Sequence, residues 1–377
     1  MSVKLHRYIL SLFPVKKGKI VFNNFNGKGF GCNPKYIAQK ILEKNKDQLD
    51  LVWLVKSDLE AKSLPPGIRP IRISSLLAKY EVSTANVIFS NVRMGTFFSK
   101  GLRKKDNQLY VQTWHGGFGI KKIEADAENL PQSYIEMAKI DSQSIDILLS
   151  SSRWQTKHFK RCFYYDGLIE EVGTPRTDLF YFENREAISR EVKIQLGIAF
   201  DEKVVLYVPT FRDGGNELYD LDFDCLVSKL SERFQGKWRA VVRYHPNARP
   251  KSKVDERIVD ATNYPDIQEL LLASDVLVTD YSSACFDFAL TKRPVFLYAP
   301  DWREYSKERG MEVSLSATPF PVAESNKQLA QTVVDFDSKQ YEANLDQFFR
   351  THQFVQFGKA SDFCAEVALS YIAKFAK

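Results

Sequence analysis

"DVLVTDYSSACFDFALTKRPVFLY", residues 275–298, passes from an apolar run into small polar residues, then into a helix-length apolar segment, then into a second apolar run. Continuous rather than alternating apolar runs mark strands buried on both faces, and a helix between two of them makes the pair parallel. Upstream the same order recurs in KIVFNNF (19–25), LDLVWLV (49–55), RPIRI (69–73), NVIFSN (86–91), QLYVQTW (108–114), DILLSSS (146–152) and IEEVGTP (169–175). After a charged helical segment at 184–195 the rhythm restarts with KVVLYVPTF (203–211), WRAVVRYHP (238–246) and RIVDAT (257–262). The pattern predicts an α/β protein of two Rossmann-like, doubly wound domains. The expected division is 19–190 and 191–354, with a basic helix over 1–18 ahead of them and a helix over 355–377 that returns to the first domain.

Composition narrows the function classes. The chain has 377 residues, 44% of them hydrophobic, which suffices for two cores. Its five cysteines are scattered without metal or disulfide spacing, so a reducing compartment is expected. No apolar run reaches the roughly 20 residues of a membrane span, and residues 1–18 lack a signal-peptide pattern. A net charge of +6 suits a phosphorylated substrate or an anionic membrane surface, and no nucleic-acid partner is expected. In KLHRYILSLFPVKKGK (4–19), Leu5, Tyr8, Ile9, Leu12 and Phe13 recur at helical spacing among Lys4, His6, Arg7, Lys16, Lys17 and Lys19. Such a helix either lies in a membrane interface or packs on the first domain.

In doubly wound folds ligands sit outside the carboxyl ends of the strands. The residues there are His115, Gly116 and Gly117 after 108–114, and Gly173, Thr174, Pro175, Arg176 and Asp178 after 169–172. In the second half they are Thr210, Arg212 and Asp213; Arg243, His245 and Pro246; and Thr279, Asp280, Tyr281, Ser282 and Ser283. Glycines, hydroxyls, arginines and histidines at strand ends, with a serine pair opening a helix, make an anion site, and phosphate is the obvious anion. Taken singly, "DYSS" reads as a helix cap and "RYHP" as a strand stopped by proline. Their shared topological position argues for a site. Asp287, five residues after Ser282, reads either as a ribose ligand or as a packing carboxylate. No carboxylate cluster resembles a metal site, so no metal and no cofactor is expected.

These segments carry a family resemblance. VFNNFNGKGFGCNPKYI (21–37), YVQTWHGGFGIKKIEAD (110–126), VGTPRTDLF (172–180), VLYVPTFRD (205–213), VVRYHP (241–246) and residues 266–298 together resemble the CDP-glycerol glycerophosphotransferases of teichoic acid and capsule synthesis. The resemblance implies a GT-B fold with two domains facing across a cleft, the first taking the acceptor and the second the nucleotide. It implies CDP-glycerol or CDP-ribitol as donor, a lipid-linked or capsular glycan as acceptor, and CMP as leaving group. His115 is then the general base, since an alcohol needs its proton removed and an imidazole titrates near neutral pH. His245, Ser282, Ser283 and Arg212 would meet the charge of the departing CMP. Arg243, Thr210, Thr279, Asp280 and Asp287 complete the donor side; Gly116 and Gly117 lie on the acceptor side, with Arg176 and Asp178, which either contact the acceptor or pin the hinge. Location is expected at the cytoplasmic face of the membrane. Two other classes stay open on the residues: a GT-B nucleotide-sugar glycosyltransferase, and a non-catalytic peripheral membrane module.

Overall fold

Where Val, Ile, Leu and Phe stand at consecutive positions, alternate side chains must go to opposite faces, and both faces need cover. The computed structural model describes residues 10, 12–44, 49–95, 97–98, 102–116, 118–210, 212, 220–244, 257–355 and 358–375. The chain divides into two units. The first comprises Met1–His115, Ile123–Asp178 and Phe354–Lys377, the second Gly116–Lys122 and Leu179–Gln353.

In the first unit the elements run β1 (Lys19–Asn23), α1 (Cys32–Lys44), β2 (Asp50–Val55), α2 (Asp58–Lys62), β3 (Ile68–Arg72), α3 (Leu76–Thr84), β4 (Val87–Ser90), β5 (Leu109–Gln112), α4 (Gln132–Ser142), β6 (Ile147–Ser150), α5 (Arg153–Cys162) and β7 (Leu168–Glu171). The sheet is parallel, in the order β3-β2-β1-β4-β5-β6-β7. Ile20, Phe22, Trp53, Phe89 and Val111 face α1, while Val21, Val52, Ile88, Tyr110 and Leu148 face α3 and α5. Phe22 stacks at 5.5 Å on both Trp53 and Phe89, its register partners on the neighbouring strands.

The second unit continues with α6 (Arg185–Gln195), β8 (Glu202–Val208), α7 (Phe223–Phe234), β9 (Lys237–Val242), β10 (Val259–Asp260), α8 (Ile267–Ala273), β11 (Val276–Thr279), α9 (Ala284–Ala289), β12 (Val295–Tyr298), α10 (Trp302–Arg309), β13 (Val322–Ala323), α11 (Asn326–Val334) and α12 (Ser338–His352). Its parallel sheet is ordered β10-β9-β8-β11-β12-β13. Both sheets therefore reverse strand order once, between β1 and β4 and between β8 and β11, which is where such folds leave a crevice for ligands.

The chain changes unit at 178/179, ahead of α6, whereas the expected boundary at 190/191 falls inside that helix. Residues 354–377 return to the first unit as α13 (Ala360–Lys374). Cys364, Ala365, Ala368 and Ile372 of this helix join the core beside α1. Asp178 fixes the start of α13, accepting from the N–H groups of Ala360 (3.3 Å) and Ser361 (2.7 Å) and from the Ser361 hydroxyl (2.6 Å). Those N–H groups have no partner within the helix. The basic N-terminal helix lies almost wholly outside the described residues. Of its members, Leu10 packs on the first core, while Leu12 and Phe13 are exposed.

Candidate functional site

In the first unit the site grows from the ends of β4 and β5. Asn91, one residue past β4, accepts from the Phe25 N–H at 2.8 Å and donates to Asn24 Oδ1 at 2.7 Å, tying the β1 and β4 ends together. Its own carbonyl lies 2.7 Å from Nδ1 of His115. A carbonyl only accepts, so Nδ1 carries the proton and the lone pair of a neutral ring sits on Nε2. The half-buried imidazole is held between Trp114 (ring centroids 4.2 Å) and Phe25 (5.3 Å). Trp114 itself has φ +51°, a left-handed conformation that its surroundings must enforce. The enforcing group is Asn33, fully buried, whose Nδ2 donates to the Trp114 carbonyl at 2.9 Å and whose Oδ1 accepts from the Arg176 N–H at 3.0 Å.

Arg176 also donates through Nη1 to the His115 carbonyl and is buried, so its described contacts hold the histidine loop. Asp178 is spent on α13. Both side chains are buried, and their described contacts are with the protein itself. Gly117 lies outside the described residues.

In the second unit, Gly116 stands against the serine pair: a Cβ built on it would lie 3.6 Å from Ser283 Oγ. Phe118 continues the approach, its ring 4.6 Å from Phe286 of α9. Lys121 pairs backbone with Met311 in an antiparallel bridge. Burial lowers the Lys121 pKa; the Asp280 charge opposes this while Arg309 and Arg212 add to it. Serines 282 and 283 are half-buried, and the Ser282 hydroxyl accepts from the Ala284 N–H at 3.3 Å. The helix they open is six residues long, so their hydroxyls rather than a helix dipole are what they offer a phosphate.

Several expected donor ligands prove to be engaged inside the unit. The Arg212 guanidinium donates to Asp301 Oδ2 (2.6 Å), Asp280 Oδ2 (2.9 Å) and the Thr210 carbonyl (2.5 Å). It also lies 4.8 and 4.7 Å from the Tyr281 and Tyr305 rings, which stack on each other at 4.0 Å. Arg212's pKa is raised: burial acts against its charge, and the Asp301 and Asp280 carboxylates outweigh that; the same pairing lowers the Asp301 pKa. Asp280 also accepts from the Thr210 N–H and hydroxyl and from the Tyr281 N–H. The Thr279 hydroxyl donates to the Val208 carbonyl at 2.6 Å, across β11 and β8. Thr210, Arg212, Thr279 and Asp280 thus brace the β8 and β11 ends. Asp287 is buried and accepts from Gln268 Nε2 at 3.0 Å.

Arg243 behaves differently. Among the described residues its guanidinium reaches the Tyr264 carbonyl at 3.3 Å and no carboxylate, and its buried Nε has no partner; burial lowers its pKa with Asp266 acting against that. A half-buried guanidinium that pairs with no carboxylate among the described residues suits an anion. His245 lies outside the described residues.

Sequence reasoning passed over Asn33, Asn91 and Lys121. The break into basic residues after Ile120 was the available signal for Lys121; the asparagines had none. Among the described residues, Asp126, His158 and Cys162 bring metal-ligating atoms within 4.8 Å of one another. Arg161 occupies that corner, donating to Asp126 Oδ2 at 2.7 Å and lying 2.9 Å from His158 Nδ1.

Comparison with known proteins now decides the family. Residues 5–366 match the model of "CDP-Glycerol:Poly(glycerophosphate) glycerophosphotransferase". The chain belongs to this family. A Staphylococcus aureus teichoic acid glycerol-phosphate transferase is 30% identical over 94% of this chain and 93% of its own length. A Bacillus subtilis teichoic acid poly(glycerol phosphate) polymerase is 28% identical over 93% of this chain, which spans about half (48%) of that relative. Among solved structures, the wall teichoic acid polymerase TagF matches with TM-score 0.86 and 29% identity over 100% of this chain and 95% of that one. A histidine-to-asparagine variant of TagF has been solved after soaking with CDPG. The fold is accordingly GT-B-like, with two parallel-sheet Rossmann-like units, as the apolar runs predicted.

Proposed function

We propose that this protein transfers glycerol phosphate, or a related alditol phosphate, from CDP-glycerol or CDP-ribitol to a hydroxyl of a lipid-linked or capsular glycan in teichoic acid or capsule biosynthesis. The acceptor oxygen attacks the β-phosphorus of the donor, and its proton passes to Nε2 of His115. The bond from the β-phosphorus to the bridging oxygen breaks, and CMP leaves with the electron pair. The observation that carries this reading is the His115 Nδ1 contact with the Asn91 carbonyl, which leaves the basic nitrogen at Nε2. Positioned general bases contribute roughly 100- to 10,000-fold.

On the donor side, Arg243, Lys121, Ser282 and Ser283 take the diphosphate, with His245 assigned by family resemblance. Negative charge developing on CMP is met by groups already in place. The carboxylates next to this site, Asp280 and Asp301, are consumed by Arg212 and Thr210, so the reading includes no metal. Activity is expected to survive EDTA.

The same reading places the protein at the cytoplasmic face of the membrane, where a lipid-linked acceptor is met. Among the described residues no helix is long and apolar enough to cross a membrane. The decisive experiment is incubation with CDP-glycerol, CDP-ribitol or a UDP-sugar and a lipid-linked acceptor, followed by mass analysis of the product. Gain of one alditol phosphate with release of CMP is expected; UDP release would instead establish a nucleotide-sugar glycosyltransferase.

A further inference from the structure

A cavity of about 760 Å³ in the second unit is bordered by α6 and by the residues that follow α9. Arg185, Arg190 and Lys193 line it from α6, and Arg293 lines it from just ahead of β12. Glu186 is the single carboxylate among its lining residues. None of the four cations is neutralised by an ion pair among the described residues. The Arg185 guanidinium donates to the Phe182 carbonyl (3.3 Å), Lys193 Nζ to the Glu202 carbonyl (2.7 Å), and Arg293 Nη1 to the Leu272 carbonyl (3.0 Å) and to that of Ser274. Arg190 is exposed. Main-chain carbonyls orient a cation without cancelling its charge, so the lining itself holds four positive groups and one negative one.

The spacing describes the ligand. Arg185 and Lys193 are eight residues apart, about 12 Å of helix at 1.5 Å per residue. That spacing suits successive phosphates on a chain. The lining also carries the Ser189 hydroxyl and the rings of Tyr181 and Phe200, a mixture of polar and apolar groups that matches the alternating hydroxyls and carbons of an alditol. The cavity is separate from the donor residues, because α9 starts beside Ser283 and Leu290 and Thr291 reach the cavity from its far end.

We propose that this cavity holds the phosphodiester backbone of an alditol-phosphate chain, an inference that rests on the transfer reading above and extends it to the product. Arg185, Arg190 and Lys193 each face one stretch of the chain, and longer chains engage more of them. The binding is electrostatic at its rim and weakens with salt.

The test is calorimetric titration of the intact protein, without donor, at low salt, using a synthetic glycerol-phosphate hexamer, glycerol 3-phosphate, and vesicles containing phosphatidylglycerol. The hexamer is expected to bind at least tenfold more tightly than the monomer. Arg185→Glu with Arg190→Glu should cost at least tenfold in hexamer affinity, and Arg190→Lys should retain it. Melting temperatures of the variants report that the fold is kept. Hexamer binding indifferent to these substitutions, or substitutions that act on vesicles alone, would overturn the proposal. Titration with CDP-glycerol in parallel separates the two readings. Donor binding without hexamer binding sinks the chain site alone, and hexamer binding without donor binding sinks the transfer reading alone.

Discussion

The imidazole Nδ1 of His115 lies 2.7 Å from the main-chain oxygen of Asn91, so a strand end in one part of the sheet dictates the tautomer of a side chain on the next. Replacement by alanine should lower kcat for CMP release by roughly 100- to 10,000-fold and leave donor affinity intact. The acidic limb of the pH–rate profile, which reports protonation of this base, should vanish in the same variant. A His115→Ala protein with normal kcat would refute the assignment.

Asn33 acts on the same ring at one remove. Asn33→Ala removes the donor to the Trp114 carbonyl and the acceptor for the Arg176 N–H, releasing a backbone held at positive φ. The expected signature is a fall in kcat with little change in the donor KM, and a shifted acidic limb rather than a lost one. A merely structural role would lower the melting temperature without moving the pH profile.

Arg243 and Arg212 sit close in sequence logic and should behave in opposite ways. Arg243→Ala should weaken CDP-glycerol binding by roughly 10- to 150-fold, the worth of a charge-assisted hydrogen bond of about 1.5–3 kcal/mol, read by calorimetry. Arg212→Ala should instead strip two buried carboxylates of their partner and cost about 3–5 kcal/mol in chemical denaturation.

Stability should depend on pH through Asp141, which is buried beside Arg93 and whose pKa is raised by burial from 3.8 to about 6. The folded state therefore holds the proton more tightly than the unfolded chain. Between about pH 4 and 6 the folded protein carries more protons, so this group's contribution to stability falls as pH rises through that window and is lost above it. Asp141→Asn keeps an acceptor for the Met94 N–H, and should flatten the melting-temperature profile between pH 4 and 6.

Much of the fold was legible because buried parallel strands leave little choice of residue: Ile20 to Phe22, Leu51 to Val55 and Val276 to Val278 are apolar at every position. Val322–Ala323 escaped because two residues carry no period. The site was legible by location and less so by role. Arg212 could be placed at a strand end, but its carboxylate partners come from positions 280 and 301, and no local pattern announces a partner that distant. Asp287 was ambiguous for the same reason, its partner being Gln268 on another helix. Arg243 could be placed by its strand end, while its lack of an ion-pair partner among the described residues is a property of the fold alone.

Residues 116–122 leave the first unit for the second, and residues 354–377 come back. During synthesis, the opening sheet must therefore wait. Its core face next to α1 stays open until Cys364, Ala365, Ala368 and Ile372 emerge, after the whole second unit has been made. The half of the protein that is translated first is completed last, and no single cut in the chain separates the two units.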